Sequence, residues 1–340
     1  MPKHPDDYAL VIGINHYPDY RPLEGAIKDA EDFSRWLTQG ADGGGLELAH
    51  CKTILSSNPP LKPVWDDIDL ALSEIRDAAR ATGARRFYLY FSGHGHASGI
   101  EENNLCLGRW SPAGASRLAL DTQAYYQFFA ECIGFQEIVV LLDCCRVRVA
   151  GAASLPPGVN CPKPVAGAGK TRFFKAFATE FQSASFEAAI TQDNAPIIRG
   201  HFTRALLAAL RGGAASPGGG VKPSALKDYL ERQVPRIAAE AKHNQTATVP
   251  QNNLPDEPAS YFGSASPIAR ANIKIQFSDQ RAGEVVLIGP ANVELKRARA
   301  DAGDWSLTLD PGLYLLVDQV SQEEKPIRFK PEEKVRDVTF

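Results

Sequence analysis

The chain has 340 residues, 44% of them hydrophobic and 23% charged, enough to bury a sizeable core and in the range of about two domains. A formal net charge of −3 supplies no basic field for nucleic acid or an anionic membrane as partner. No stretch approaches the roughly 18 apolar residues of a membrane span, and the first apolar run is too short and lacks the basic flank of a signal peptide. A soluble, cytoplasmic protein is expected. The six cysteines (Cys51, Cys106, Cys132, Cys144, Cys145, Cys161) show no tandem C-x-x-C pairs and lie among apolar runs, which predicts reduced thiols rather than a disulfide framework.

Residues 8–14 (YALVIGI) form a continuous apolar run, the pattern of a strand buried on both faces. A helix is expected over 23–37, where Leu23, Ile27, Ala30, Phe33 and Leu37 form one stripe, and a strand over 50–55. Residues 63–81 read as a second helix with Asp66 and Asp67 in the first turn and Arg76 and Arg80 late, complementing the dipole. Residues 86–91 (RFYLYF) and 137–142 (EIVVLL) are further buried strands, with a helix over 122–133 between them that stops at Gly134. Residues 178–190 look extended, 201–211 helical, and 224–242 helical but interrupted at Pro235. The alternation predicts an α/β domain over 1–250, three layers deep, around a mostly parallel sheet.

Two stretches read as flexible: 149–171, rich in Gly, Ala and Pro, and 245–267, polar and Pro-rich, whose part 251–268 is expected to link two domains. Over 269–340 the period changes to two. Ile273/Ile275/Phe277, Val293/Leu295 and Trp305/Leu307/Leu309 alternate with polar residues, and Asp310-Pro311-Gly312 marks a turn. This predicts a small all-β domain, a sandwich.

Two of the buried strands end in reactive residues, Ser92-Gly93-His94-Gly95-His96 and Asp143-Cys144-Cys145. In a parallel sheet the carboxyl ends share one edge, so His94 and Cys145 can be neighbours despite their separation in sequence. An imidazole beside a thiol lowers its pKa and supplies the proton a leaving amine needs. Either strand end alone fits a small core cysteine or an ordinary loop histidine; together they point to a nucleophile and its base. Gly167-Ala168-Gly169-Lys170-Thr171 imitates the end of a phosphate-binding loop, but Pro164 stands where its first glycine belongs and no apolar strand precedes it. His94, His96, Asp143 and the cysteines match no common zinc spacing.

Residues 8–14 with Asn15 and Tyr17, the helix Leu23-Glu24-Gly25-Ala26-Ile27-Lys28-Asp29-Ala30, the turn Ser92-Gly93-His94-Gly95, Asp143-Cys144-Cys145, and Ser185-Phe186-Glu187-Ala188 followed by Gly200-His201-Phe202-Thr203-Arg204-Ala205-Leu206 together resemble the caspase-like cysteine peptidases (peptidase C14 type). Order and spacing are closest to the metacaspases and prokaryotic caspase homologues. The resemblance runs over about residues 6–253 and does not reach the C-terminal β domain. It implies a caspase-like αβα fold, a hydrolase needing no cofactor, His94 as general acid/base and Cys145 as nucleophile. The N–H groups of Gly95 and Cys145 would form the oxyanion hole, each donor being worth about 3 kcal/mol to the transition state. Cys144, pointing away from Asp143 and Cys145, is assigned to packing. His96 competes with His94 but matches no family position.

By the same resemblance Asp29, Ser92 and Asp143 line the pocket for the residue before the scissile bond. Two carboxylates in a crevice call for a cation, so arginine or lysine is expected there, and aspartate is not. Asp29 also sits early in its helix, where the dipole favours its ionised form. The segment 146–175 carries Arg146, Arg148, Lys163, Lys170, Arg172 and Lys175. For an enzyme cutting after basic residues these are candidate processing sites, so that the chain is either a zymogen, cleaved by itself or by an upstream protease, or an enzyme with an ordinary flexible loop. Many metacaspases need calcium; Glu101, Glu102 and Asp121 form no clear matching cluster, and calcium dependence stays open at this point. The reading is of an endopeptidase for proteins with a basic residue before the scissile bond, in prokaryotic stress response or defence. The alternatives are a catalytically silent caspase-like adaptor and, on Lys170, a nucleotide-binding module.

Overall fold

The computed structural model describes residues 4–340 apart from 41, 98, 101, 113–117, 150–151, 162–169, 193–194, 268–270, 279–280, 290–292, 310–311 and 330–334. The chain divides into two compact units, Met1–Ser266 and Pro267–Phe340.

The first unit runs β1 (Asp7–Gly13), α1 (Ala26–Thr38), β2 (Cys51–Leu55), α2 (Trp65–Thr82), β3 (Arg86–Ser92), β4 (Gly95–Ala97), β5 (Asn103–Cys106), β6 (Ala119–Asp121), α3 (Thr122–Gln127), β7 (Glu137–Asp143), β8 (Arg172–Phe177), β9 (Glu187–Gln192), β10 (Ala195–Gly200), α4 (His201–Ala208), α5 (Pro223–Glu240) and β11 (Thr248–Asn252). A six-stranded sheet has the order β11-β8-β7-β3-β1-β2. All its pairings are parallel except β11 with β8. Strands β1, β3 and β7 are buried along their whole length, which is why their sequences are unbroken apolar runs.

Successive residues of β1 go to opposite faces. Leu10 and Ile12 join one core with Leu72 and Ile75 of α2, Phe87 and Phe129, while Ala9 and Val11 join another with Phe33 of α1, Phe202 and Leu206 of α4 and Leu230 of α5. Helices therefore cover both faces, giving three layers. At the amino edge of the sheet Arg86 pairs with Glu137 in the interior, at 2.8 Å through Nε. Desolvation there pushes the neighbouring Asp7 up to about 6, against Arg85 and Arg86. At the carboxyl edge Gly13 stands in register with Ser92, and Ser92 with Asp143.

Four sequence expectations are corrected. Residues 172–177, of which 172–175 were expected in the flexible loop 146–175, are the central-sheet strand β8; its lysine, Lys175, is accommodated over the rings of Tyr126 and Phe173 at 4.6 and 4.8 Å. Pro235 lies inside α5, which runs through it to Glu240. The expected linker up to residue 266 belongs to the first unit: Thr248–Asn252 adds the edge strand, and Val249, Leu254 and Phe262 are buried in its core. Cys132 and Cys161 are not reduced thiols but a disulfide, with Cα atoms 5.4 Å apart. No local spacing announces that bond, because the residues meet only when the segment after Cys145 folds back on the helical end at Cys132.

The second unit contains β12 (Ala271–Gln276), β13 (Glu284–Gly289), β14 (Val293–Arg299), β15 (Trp305–Leu309), β16 (Gly312–Asp318), β17 (Glu324–Phe329) and β18 (Val335–Thr339). A three-stranded sheet, β15-β12-β18, and a four-stranded sheet, β14-β13-β16-β17, share one core. Ile273, Ile275, Trp305 and Val338 come from the first and Val285, Leu287, Tyr314, Leu316 and Phe329 from the second, making a β-sandwich. The expected turn at Asp310-Pro311 lies outside the described residues.

Candidate active site

A cavity of about 60 Å³ opens at the carboxyl edge of the six-stranded sheet, where β1, β3 and β7 end. His94, Cys145, Asp29, Ser92 and Asp143 all line it, together with Ser185, Phe186 and Glu187. The register explains the convergence: Ser92 and Asp143 end adjacent strands as cross-strand partners, so the residues that follow each emerge side by side.

The His94 ring is held from three sides. Its Nε2 lies 2.7 Å from the Arg21 carbonyl, and the rings of Tyr17 and Tyr20 flank it at centroid distances of 4.6 and 4.7 Å. A carbonyl only accepts, so Nε2 carries the proton and Nδ1 keeps a lone pair. Burial holds the imidazole below its ordinary pKa, with the Arg21 carbonyl pulling the other way. The His94 N–H donates to the Tyr17 hydroxyl at 2.9 Å, which fixes the turn. Gly95 leaves space for Cys144: a Cβ there would stand 2.6 Å from the Cys144 sulfur. Cys144 is buried in the core and Cys145 opens on the cavity. His96 does not line the cavity; it is buried against Trp110, with burial lowering its pKa to about 4.

The Cys145 thiol makes two polar contacts, both with Ser185. The Ser185 N–H points at the sulfur from 3.3 Å, and the thiol points at the Ser185 carbonyl at 3.7 Å. Burial pushes the thiol pKa up, the Ser185 N–H draws it down, and Asp143 adds to the rise. Among the described residues no hydrogen bond joins His94 to Cys145.

Asp143 accepts from the Ser185 hydroxyl at 2.9 Å and from the Thr203 hydroxyl and N–H at 2.7 and 3.1 Å. Asp29 is only 1% exposed, not a solvated surface acid. Its carboxylate pairs with Arg199 at 3.1 Å and accepts the Gly200 N–H at 2.9 Å. The helix dipole favours its ionised form, as expected, but burial, and then the Asp143 charge, outweigh it and raise the pKa to about 8. A dipole worth at most about 1 kcal/mol at a surface does not offset that.

Sequence reasoning missed Arg199, the cation that answers Asp29, and the role of the segment from Ser185 to Glu187. Gln245 accepts from the Phe186 N–H at 2.8 Å and donates to Ser185 Oγ at 3.3 Å. The Glu187 carboxylate accepts the N–H groups of Glu24 and Gly25 at 3.0 and 2.9 Å, at the start of α1. A glutamate following the Ser-Phe pair was visible in the sequence, but the N–H donors it accepts from lie far away along the chain.

The basic residues of 146–175 are scattered by the fold. Arg146 is withdrawn as a processing site: it is 2% exposed, bonds Asn103 Oδ1 at 2.8 Å and the carbonyls of Ile100 and Thr179, and covers the Phe177 ring. Lys175 is withdrawn for the same reason, being buried in β8. Arg172 opens β8 at the amino edge, paired with Glu137 at 2.8 Å. Because β7 and β8 are parallel, Lys170 and Arg172 lie about 20 Å along the strands from Cys145, not beside it. Arg148 and Lys170 are exposed; Lys163 lies outside the described residues.

Asp121 caps α3, accepting the Gln123 and Ala124 N–H groups, and Glu102 is exposed, while Glu101 lies outside the described residues. Among the described residues no group of three or more His, Cys, Asp or Glu side chains is gathered for a metal. Residues 167–169 are also outside the described ones; Lys170 and Thr171 lead into strand β8, whereas a phosphate loop leads into a helix. No helix is long and apolar enough to cross a membrane among the described residues.

The family model of the caspase domain matches residues 6–257. A comparison with curated proteins finds no match.

Proposed function

Because the chain belongs to the caspase-domain family of cysteine peptidases, whose chemistry needs no cofactor, we propose that it is an endopeptidase cutting after arginine or lysine with a His94/Cys145 dyad. The observation that carries this reading is the single cavity lined by imidazole, thiol and two buried carboxylates. His94, anchored through Nε2, takes the thiol proton at Nδ1. The thiolate attacks the scissile carbonyl, and the oxyanion is received by the N–H groups of Gly95 and Cys145. His94 then returns the proton to the leaving amine, and water hydrolyses the acyl-enzyme.

The cavity, at about 60 Å³, has room for a few waters but not for an arginine side chain. Substrate entry therefore requires the Ser185–Glu187 segment to move, which would also release the thiol toward His94. Asp29, Ser92 and Asp143 would then receive the basic side chain. Hydrolysis of fluorogenic Arg or Lys peptides, lost in Cys145→Ala and in His94→Ala, tests the reading. Preference for aspartyl peptides would leave the dyad and remove the acidic slot. No turnover of any peptide would favour the silent adaptor.

Activation by cleavage, if it accompanies this activity, centres on Arg148 and Lys170, and an upstream protease acting in trans suits Lys170 better than self-cleavage. The intact mass of active protein beside Cys145→Ala tests this; an uncut active chain removes it. A role in prokaryotic stress or defence rests on the resemblance to the metacaspases and is tested by mapping new N-termini across a proteome after addition of active enzyme. A cytoplasmic location is supported by the free thiol of Cys145 and opposed by the Cys132–Cys161 bond, so counting thiols in protein isolated under acid quench decides it.

A further inference from the structure

Asp29 and Asp143 converge on one point. A Cβ added at Gly200 would lie 3.0 Å from Asp29 Oδ2 and 2.2 Å from Asp143 Oδ2. Asp143 is satisfied by neutral donors, whereas Asp29 has a guanidinium. Arg199, the residue before Gly200 at the end of β10, forks between Asp29 and Asp32 one helical turn further along α1. Asp29, Asp32 and Arg199 are all 5% exposed or less. Three buried carboxylates and one buried cation thus stand together beside the cavity, with Arg35 and Lys28 reaching Asp32 from the surface. Without the cation, like charges this close cannot all stay ionised.

We propose that Arg199 is the positioning residue that sets the specificity of the acidic slot: as resident counter-ion it holds the Asp29 carboxyl in place and eases its ionisation when a substrate's arginine or lysine arrives. The inference rests on the reading of the slot as a site for basic side chains. Asp143 alone, saturated by Ser185 and Thr203, offers such a side chain a weaker hold. Asp29, with one oxygen on Arg199 and the other on Gly200, is fixed in orientation and still lines the cavity. The groups facing Asp29 are Asp143 of β7, Tyr90 of β3, Arg199 of β10, Arg204 of α4, Glu187 of β9 and Asp32 of its own helix. Arg199 is the cation in direct contact with it.

Two readouts test this in the full chain. Carbon NMR of the aspartate carboxyls, without substrate, follows the Asp29 titration in the wild type, Arg199→Gln, Arg199→Lys and Asp32→Asn. Arg199→Gln is expected to raise the Asp29 midpoint by about one to three pH units, Arg199→Lys to raise it less, and Asp32→Asn to lower it. A fold defect does not move the midpoint in both directions, and Arg199→Lys with Asp32→Asn decides the matter if Arg199→Gln does not fold. In peptide hydrolysis, Arg199→Gln is expected to raise KM for an arginyl peptide about tenfold or more near neutral pH, to alter kcat less, and to approach wild type at high pH, with Arg199→Lys restoring part. An Asp29 midpoint common to all four proteins overturns the proposal, as does a KM increase of equal size at every pH. If no peptide is hydrolysed, the peptidase reading falls while the titration still decides whether Arg199 governs Asp29.

Discussion

The sulfur of Cys145 is held by the backbone of Ser185, whose N–H lies 3.3 Å from it and whose carbonyl faces the thiol at 3.7 Å. A sulfur so placed is a neutral thiol in a buried setting, not a thiolate on an imidazolium. Burial raises its pKa above the ordinary value, and Asp143 works in the same direction. Alkylation of Cys145 by iodoacetamide, read by peptide mass, should therefore be slow near neutrality and accelerate into the alkaline range. His94→Ala should change that resting rate by less than about twofold, because the imidazole is not bonded to the thiol. Rapid labelling at pH 6 that depends on His94 would show a preformed ion pair instead.

The buried Asp29 carboxyl makes stability depend on pH. Asp29, raised to about 8 by burial and by Asp143, holds its proton in the folded chain across a range where the unfolded chain has lost it. The folded state thus binds more protons between about pH 4 and 8, and stability falls as pH rises through that window, by up to about 1.4 kcal/mol per unit. Above the folded pKa the loss is complete. Asp29→Asn should consequently raise Tm relative to wild type at pH 8 to 9, with a smaller gain at pH 5, while abolishing cleavage after arginine. Parallel thermal melts at the three pH values check the sign.

Arg146, directly after Cys145, is a buried tether. Its guanidinium satisfies Asn103, Ile100 and Thr179 in the interior. Arg146→Ala leaves those acceptors buried and unpaired, with an expected cost of about 3 kcal/mol in chemical denaturation. Arg148→Ala, on the surface, should change stability by less than about 0.5 kcal/mol.

The Cys132–Cys161 bond predicts different products for cleavage at Arg148 and at Lys170. A cut after Arg148 separates the cysteines onto two fragments that stay joined until reduced. A cut after Lys170 leaves both cysteines on the same fragment. Gels with and without reductant distinguish them. Closing a loop across 29 positions is worth roughly 3 to 4 kcal/mol in the chain-entropy account, so reduction should lower Tm measurably.

Much of this molecule is legible in its sequence because the signals are local. Residues 8–14, 86–91 and 137–142 are apolar without interruption since both faces of β1, β3 and β7 are covered, and strand ends carrying Ser92-Gly93-His94 and Asp143-Cys144-Cys145 mark the edge where a site forms. The period-two pattern after residue 269 likewise follows from a sheet with one buried face. By contrast, β8 escaped notice because it opens with Arg172 and carries Lys175, whose charge rests over aromatic rings supplied by other segments.

What the tertiary structure alone decided is the partnering of charges and sulfur across long separations. Arg199 meets Asp29, Ser185 meets Cys145, Arg146 turns inward to Asn103, and Cys132 finds Cys161. Residue type and periodicity report which faces lose water. They do not report which distant group then supplies the counter-charge or donor, because that depends on where the folded chain brings each group.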